Sequence, residues 1–109
     1  MMKRGALVTV ALSGDYGKPR PAVVIQSDLF NQHPSITLLP VTSELREAPL
    51  FRITLEPTEK NGLKKISQVM VDKAVTVSRD KIDQVFGELS DKELIEINRA
   101  LALFLNLAG

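Results

Sequence analysis

Up to about residue 88 the apolar residues fall into short runs rich in Val, Ile, Leu and Thr; beyond it they recur at helical spacing. The runs predict strands over 5–12, 22–26, 36–39, 52–55, 68–77 and 85–88. Turn residues separate them: 13–17, His33-Pro34-Ser35 and Glu59-Lys60-Asn61-Gly62, whose Asn-Gly pair is a strong turn signal. Ser27-Asp28-Leu29-Phe30-Asn31 predicts one helical turn capped by Ser27, and Ser78-Arg79-Asp80-Lys81-Ile82 a second.

Ser90-Asp91-Lys92-Glu93 then reads as a capping box, in which serine and glutamate satisfy each other's orphan amides. After it Leu94, Ile97, Leu101, Phe104, Leu105 and Ala108 form one helical stripe, while Ile95, Leu103 and Leu107 lie off it. A helix with this much apolar surface suits packing on a partner as well as on its own core. Short strands plus one terminal helix predict a mainly β fold, a small barrel, in one domain spanning 1–109.

Composition adds limits. The 109 residues are 44% hydrophobic and 25% charged, as in a soluble globular domain. There are no cysteines, which removes disulfides and thiolate metal sites and fits a cytoplasmic location. The first apolar run is too short to span a membrane and no leader cleavage site follows it, so no membrane association is expected. Residues 1–75 carry a net charge of +3 and residues 76–109 of −2, within a total of +1. A weakly basic body is compatible with a polyanion and does not by itself argue for nucleic acid.

Few residues offer chemistry. His33 is the only histidine, sits before Pro34 and builds no metal cluster, so no metal or cofactor is implied. No glycine-rich phosphate loop precedes a helix. Arg20 stands between Pro19 and Pro21 at the mouth of the strand Ala22-Val23-Val24-Ile25. Proline fixes its own φ and restricts the residue before it, so this guanidinium rides on a stiff stalk. Thr42 and Ser43 offer adjacent hydroxyls where Pro40-Val41-Thr42-Ser43 leaves a strand, and Asp72 lies within the run 68–77. A guanidinium fork, two hydroxyls and a carboxylate suit a phosphodiester; a surface ion pair, a self-capped loop and a solvent-facing strand position account for the same residues separately. Tyr16 and Phe30 are the plausible exposed aromatic stacking surfaces, and Phe30 equally suits the core.

Gly14-Asp15-Tyr16-Gly17-Lys18-Pro19-Arg20-Pro21-Ala22-Val23-Val24-Ile25-Gln26 resembles the first loop and second strand of the MazF/PemK family of toxin endoribonucleases. Asp28-Leu29-Phe30-Asn31, Pro40-Val41-Thr42-Ser43 and Gly62-Leu63-Lys64-Lys65 resemble it too, in the right order. The resemblance implies an SH3-like barrel with a C-terminal helix, a homodimer, and metal-independent cleavage of single-stranded RNA. It also implies neutralisation by an antitoxin whose disordered tail wraps the dimer. Arg20 matches the family's catalytic arginine, Thr42 its catalytic threonine, Ser43 a substrate contact and Asp72 an acidic position at the site. Asp15, Tyr16 and Lys18 fall in the substrate-binding first loop, where the family usually carries Glu-Gln in place of Asp15-Tyr16. Met70 stands where some members have a second arginine, and Lys73 and Val75 replace a frequent Gln and Arg. Two other readings share the fold: a CcdB-like gyrase poison and an inactive binding module. The first depends on a tryptophan near the C-terminus, and this chain has no Trp.

Overall fold

The computed structural model describes residues 2–12 and 18–107. Seven strands form one antiparallel sheet: β1 (Ala6–Ala11), β2 (Pro19–Val24), β3 (Ser35–Thr42), β4 (Arg52–Leu55), β5 (Ser67–Met70), β6 (Val75–Ser78) and β7 (Ile82–Glu88). Their order is β4-β5-β3-β2-β1-β7, with β6 on β3. One helix follows, α1 (Asp91–Leu105). The sheet is mainly β with a C-terminal helix as expected, but its ladder is open: among the described residues no pairing joins β4 to β7.

Alternate residues of the central strands feed two cores. Leu7, Val23, Leu39 and Val69 join Ile97 and Ala100 of α1. Val8, Ala22, Val24 and Leu38 join the other cluster, against Val75, Val77 and Ile82. Both faces of β1, β2 and β3 are therefore covered, which is why these strands read as continuous apolar runs.

The expected strand over 68–77 is two strands. A 3-10 turn, Val71–Lys73, separates β5 from β6. The two halves serve different partners: β5 pairs with β4 and with Val41 and Thr42, whereas β6 pairs with Ser35–Leu38 at the other end of β3. A single straight strand cannot reach both, so the chain turns a corner at Asp72. β1 is trimmed to 6–11 and β2 covers 19–24 in place of 22–26, while two strands are longer than expected. β3 runs on through Thr42, and β7 begins at Ile82, held by its ladder with β1.

The capping box of α1 is formed, with Ser90 Oγ accepting from Glu93 N and Glu93 Oε1 accepting from Ser90 N. Asn106 ends the helix in the left-handed conformation. Ile97 and Ala100 are buried, but Phe104 and Leu105, expected on the inward stripe, are half exposed. Ile95, Leu103 and Leu107 are exposed as their off-stripe positions imply; Ala108 lies outside the described residues.

Candidate functional site

The prolines around Arg20 decide where the sheet opens. Backbone groups of successive strand residues point to opposite edges. Val24 O accepts from Gly5 N on the β1 side, and Ile25 N donates to Thr37 O on the β3 side. By that alternation residues 19, 21 and 23 face β3. Pro19 and Pro21 have no N–H to give there, and the β2–β3 ladder ends at Ala22 opposite Pro40, itself a proline. Toward its start β2 keeps only β1, with Arg20 opposite Val10. β3 meanwhile continues and pairs its other edge with β5 through Val41 and Thr42. A cleft opens where the two strands part.

That cleft holds a cavity of about 520 Å³. Arg20 and Pro21 line it from β2, and Val41, Thr42, Ser43 and Glu44 from the end of β3 and the loop after it. Leu63, Lys64, Lys65 and Ser67 close it from the segment leading into β5. Three cations and one carboxylate thus surround two hydroxyl side chains at the strand end. Thr42 Oγ1 accepts from Glu44 N at 3.0 Å. A hydroxyl has one proton and two lone pairs, so this bond uses a lone pair and leaves the Thr42 proton for a ligand. Loop self-capping and ligand donation therefore coexist at Thr42. Ser67, also in the lining, donates its hydroxyl proton to Lys65 O at 2.9 Å.

The structure brings Arg20, Thr42 and Ser43 together, as their residue types suggested. It does not bring Asp72 with them. Asp72 sits in the 3-10 turn beneath α1, largely covered, 3.9 Å from Lys73 Nζ and not among the residues lining the cavity. Lys18 is exposed just ahead of β2 and is not a lining residue. Asp15 and Tyr16 lie outside the described residues. Phe30 is exposed beside Leu29 on the turn Asp28–Phe30, away from the cavity lining. His33 is a turn residue, its Nδ1 accepting from Ser35 N. Glu44, Lys64 and Lys65 are the additions that sequence reasoning missed. The paired lysines after the Asn61-Gly62 turn were a visible signal; Glu44 was not, because nothing local distinguishes it from Glu47.

A family model for the PemK-like, MazF-like toxins of type II toxin–antitoxin systems matches residues 3–105. The chain belongs to that family. It is 42% identical over 109 residues to the probable endoribonuclease MazF of Mycolicibacterium smegmatis, covering 99% of this chain and 100% of the relative. It is 28% identical over 112 residues to the endoribonuclease MazF of Staphylococcus saprophyticus, covering 98% and 93%. Among solved structures it superposes on a chain of a MazE–MazF crystal structure from Deinococcus radiodurans with a TM-score of 0.78, at 25% identity and 95% coverage of both chains. A mycobacterial endoribonuclease in complex with its cognate antitoxin matches at a TM-score of 0.82, at 21% identity, covering 98% of this chain and 97% of the other. The last match speaks for the fold alone. The family assignment sets the gyrase-poison reading aside, and the matched residues include both Arg20 and Thr42.

Proposed function

We propose that this MazF/PemK-family endoribonuclease toxin cuts single-stranded RNA in the cleft between Arg20 and Thr42, using the RNA's own 2′-hydroxyl as nucleophile. One observation carries the reading: the guanidinium, the free hydroxyl proton and a carboxylate converge on one cavity at the split between β2 and β3.

RNA cleavage by the neighbouring 2′-oxygen needs a proton removed, negative charge at phosphorus stabilised and a proton supplied to the leaving 5′-oxygen. Arg20 binds the phosphate through its planar fork; a guanidinium keeps its charge, which makes it an electrostatic group and a poor base. Thr42, with Ser43, donates to the non-bridging oxygens. Glu44, the carboxylate in the lining, takes the 2′-proton. The 2′-oxygen bonds to phosphorus, the 5′-oxygen leaves and takes a proton from water, and a 2′,3′-cyclic phosphate results. Lys64 and Lys65 add sequence-independent attraction for the strand. DNA lacks the nucleophile and is not cut.

The exposed apolar residues Ile95, Leu103, Phe104 and Leu107 of the α1 region support a homodimer. An acidic, disordered antitoxin segment that folds onto the basic cleft would block it by occlusion. Translation is the process such a nuclease inhibits, through mRNA in the cytoplasm. Among the described residues no helix is long and apolar enough to cross a membrane.

The test is incubation of the pure protein with mixed-sequence RNA in EDTA, with sequencing of the ends. Cyclic-phosphate and 5′-hydroxyl ends at a short recurring sequence are expected. Ends bearing a 5′-phosphate, or loss of cutting in EDTA, would overturn the mechanism.

A further inference from the structure

Arg52 at the start of β4 is buried, at 8% exposure, yet among the described residues no carboxylate forms an ion pair with it. Its recorded hydrogen bonds both come from Nη1, to Glu44 O at 3.0 Å and Gln68 Oε1 at 3.1 Å. Its Nε is buried without an acceptor. A buried cation held only by neutral dipoles is costly, because removing the charge from water is not repaid by a counter-charge. Such a group is a standing site for an anion.

There is room for one. Arg52 lines a cavity of about 270 Å³ together with Arg46, Thr54 and Gln68, with Glu47 also contributing to the lining. Glu47 is exposed and makes no ion pair with Arg52, so two guanidiniums outweigh one rim carboxylate. Gln68 holds the wall rigid: its Oε1 accepts from Arg46 N at 2.9 Å, and its Nε2 donates to Arg46 O at 3.0 Å. The Arg46 backbone is thereby fixed at both ends by a buried amide, and its side chain is left to the cavity rim.

This cavity adjoins the cleft of the proposed reaction. Glu44 lines the first cavity and Arg46 the second. Two residues of chain span roughly 7 Å at most, so a strand crossing the first cavity reaches the second within a nucleotide or two. We propose that the Arg46–Arg52 cavity is a second phosphate subsite, taking a backbone phosphate of a nucleotide flanking the scissile bond. The inference rests on the reading that RNA is cut between Arg20 and Thr42. Arg52 would then set the register of the strand, and its bond to Glu44 O ties that subsite to the loop that follows Thr42.

The test uses a short RNA containing the cleavage sequence mapped for this protein, made uncleavable by a single deoxyribose at the cut position. Its affinity is measured by fluorescence anisotropy over a range of KCl concentrations. Each flanking phosphate is replaced in turn by an uncharged methylphosphonate. One flanking position should weaken binding about tenfold in the wild type, as loss of a charge-assisted contact does. At that position the replacement should add nothing further in Arg52→Gln. Arg46→Ala, which keeps the backbone bonds to Gln68, should lower the slope of log K against log salt by about 0.7, as one lost phosphate contact on a single strand does. A merely structural role for Arg46 or Arg52 leaves that slope unchanged. If every flanking methylphosphonate is tolerated and both variants keep the wild-type slope, the subsite is refuted. Should Arg52→Gln not fold, the methylphosphonate walk and Arg46→Ala decide alone. Cleavage by Arg20→Ala at the wild-type rate refutes the underlying reaction site instead, a separate outcome.

Discussion

Thr42 Oγ1 accepts the backbone N–H of Glu44 at 3.0 Å, so the loop beyond β3 folds back onto the hydroxyl that faces the cleft. The bond occupies one lone pair of the oxygen and leaves its proton for the ligand. Thr42→Val removes the donor at nearly constant volume and should lower kcat about 10²–10³-fold, the usual cost of one oxyanion donor. Thr42→Ser should retain most activity. Single-turnover cleavage measures both, and a Thr42→Val enzyme cutting at the wild-type rate would take Thr42 out of the chemistry.

Arg20 is exposed at the start of β2, so its side chain contributes little to the core. Arg20→Ala is expected to abolish cleavage with Tm nearly unchanged. Arg20→Lys keeps the charge, loses the planar fork and should fall well short of wild type. Paired thermal melts and cleavage assays separate this from a folding defect.

Glu44 is the carboxylate in the cavity lining, whereas Asp72 lies under α1. Glu44→Gln should slow cleavage at neutral pH at least about 10²-fold, the low end for a general base, with rising pH recovering part of it. Asp72→Asn should change the rate much less. The reverse ranking in the pH–rate profiles would make Asp72 the base in place of Glu44.

Gly87 of β7 passes against the Asn61 backbone. A Cβ there would lie 2.2 Å from Asn61 O. Backbone cannot yield as a side-chain tip can, so Gly87→Ala should cost at least about 2–3 kcal/mol. A thermal melt should place its Tm roughly 10 °C or more lower. A melt within a degree of wild type would show that the two segments separate easily.

Leu103 and Phe104 of α1 are 59% and 50% exposed. Leu103→Lys combined with Phe104→Lys should dissociate the homodimer while the monomer stays folded, since neither side chain fills the core. Light scattering with circular dichroism checks both parts. A wild-type protein already monomeric at micromolar concentration would remove the dimer.

The sequence by itself determined the element types. Val, Ile and Leu runs can be little else than strands when turn residues bound them, and the Ser90–Glu93 box with a 3.6-residue repeat specifies a helix locally. It also determined that Arg20 is held stiffly, because proline acts on its own backbone and its neighbour's. The family motifs carried the expectation of an Arg20–Thr42 site, since both residues lie in recognisable short segments.

Only the tertiary structure decided the rest. Whether 68–77 is one strand or two depends on β3, whose two ends demand different partners, and no local pattern encodes that corner. The same turn carries Asp72 away from the cavity. Glu44, Lys64 and Lys65 join the site because the loop after β3 and the approach to β5 meet across the cleft, a relation between segments about twenty residues apart. The buried state of Arg52 was equally illegible: a strand arginine is ordinarily solvent-facing, and it is the packing of β5, through Gln68, that seals it. Strand period tells which residues share a face. Which segments close over that face, and so which charges are buried and which meet, is settled by contacts that only the folded chain makes.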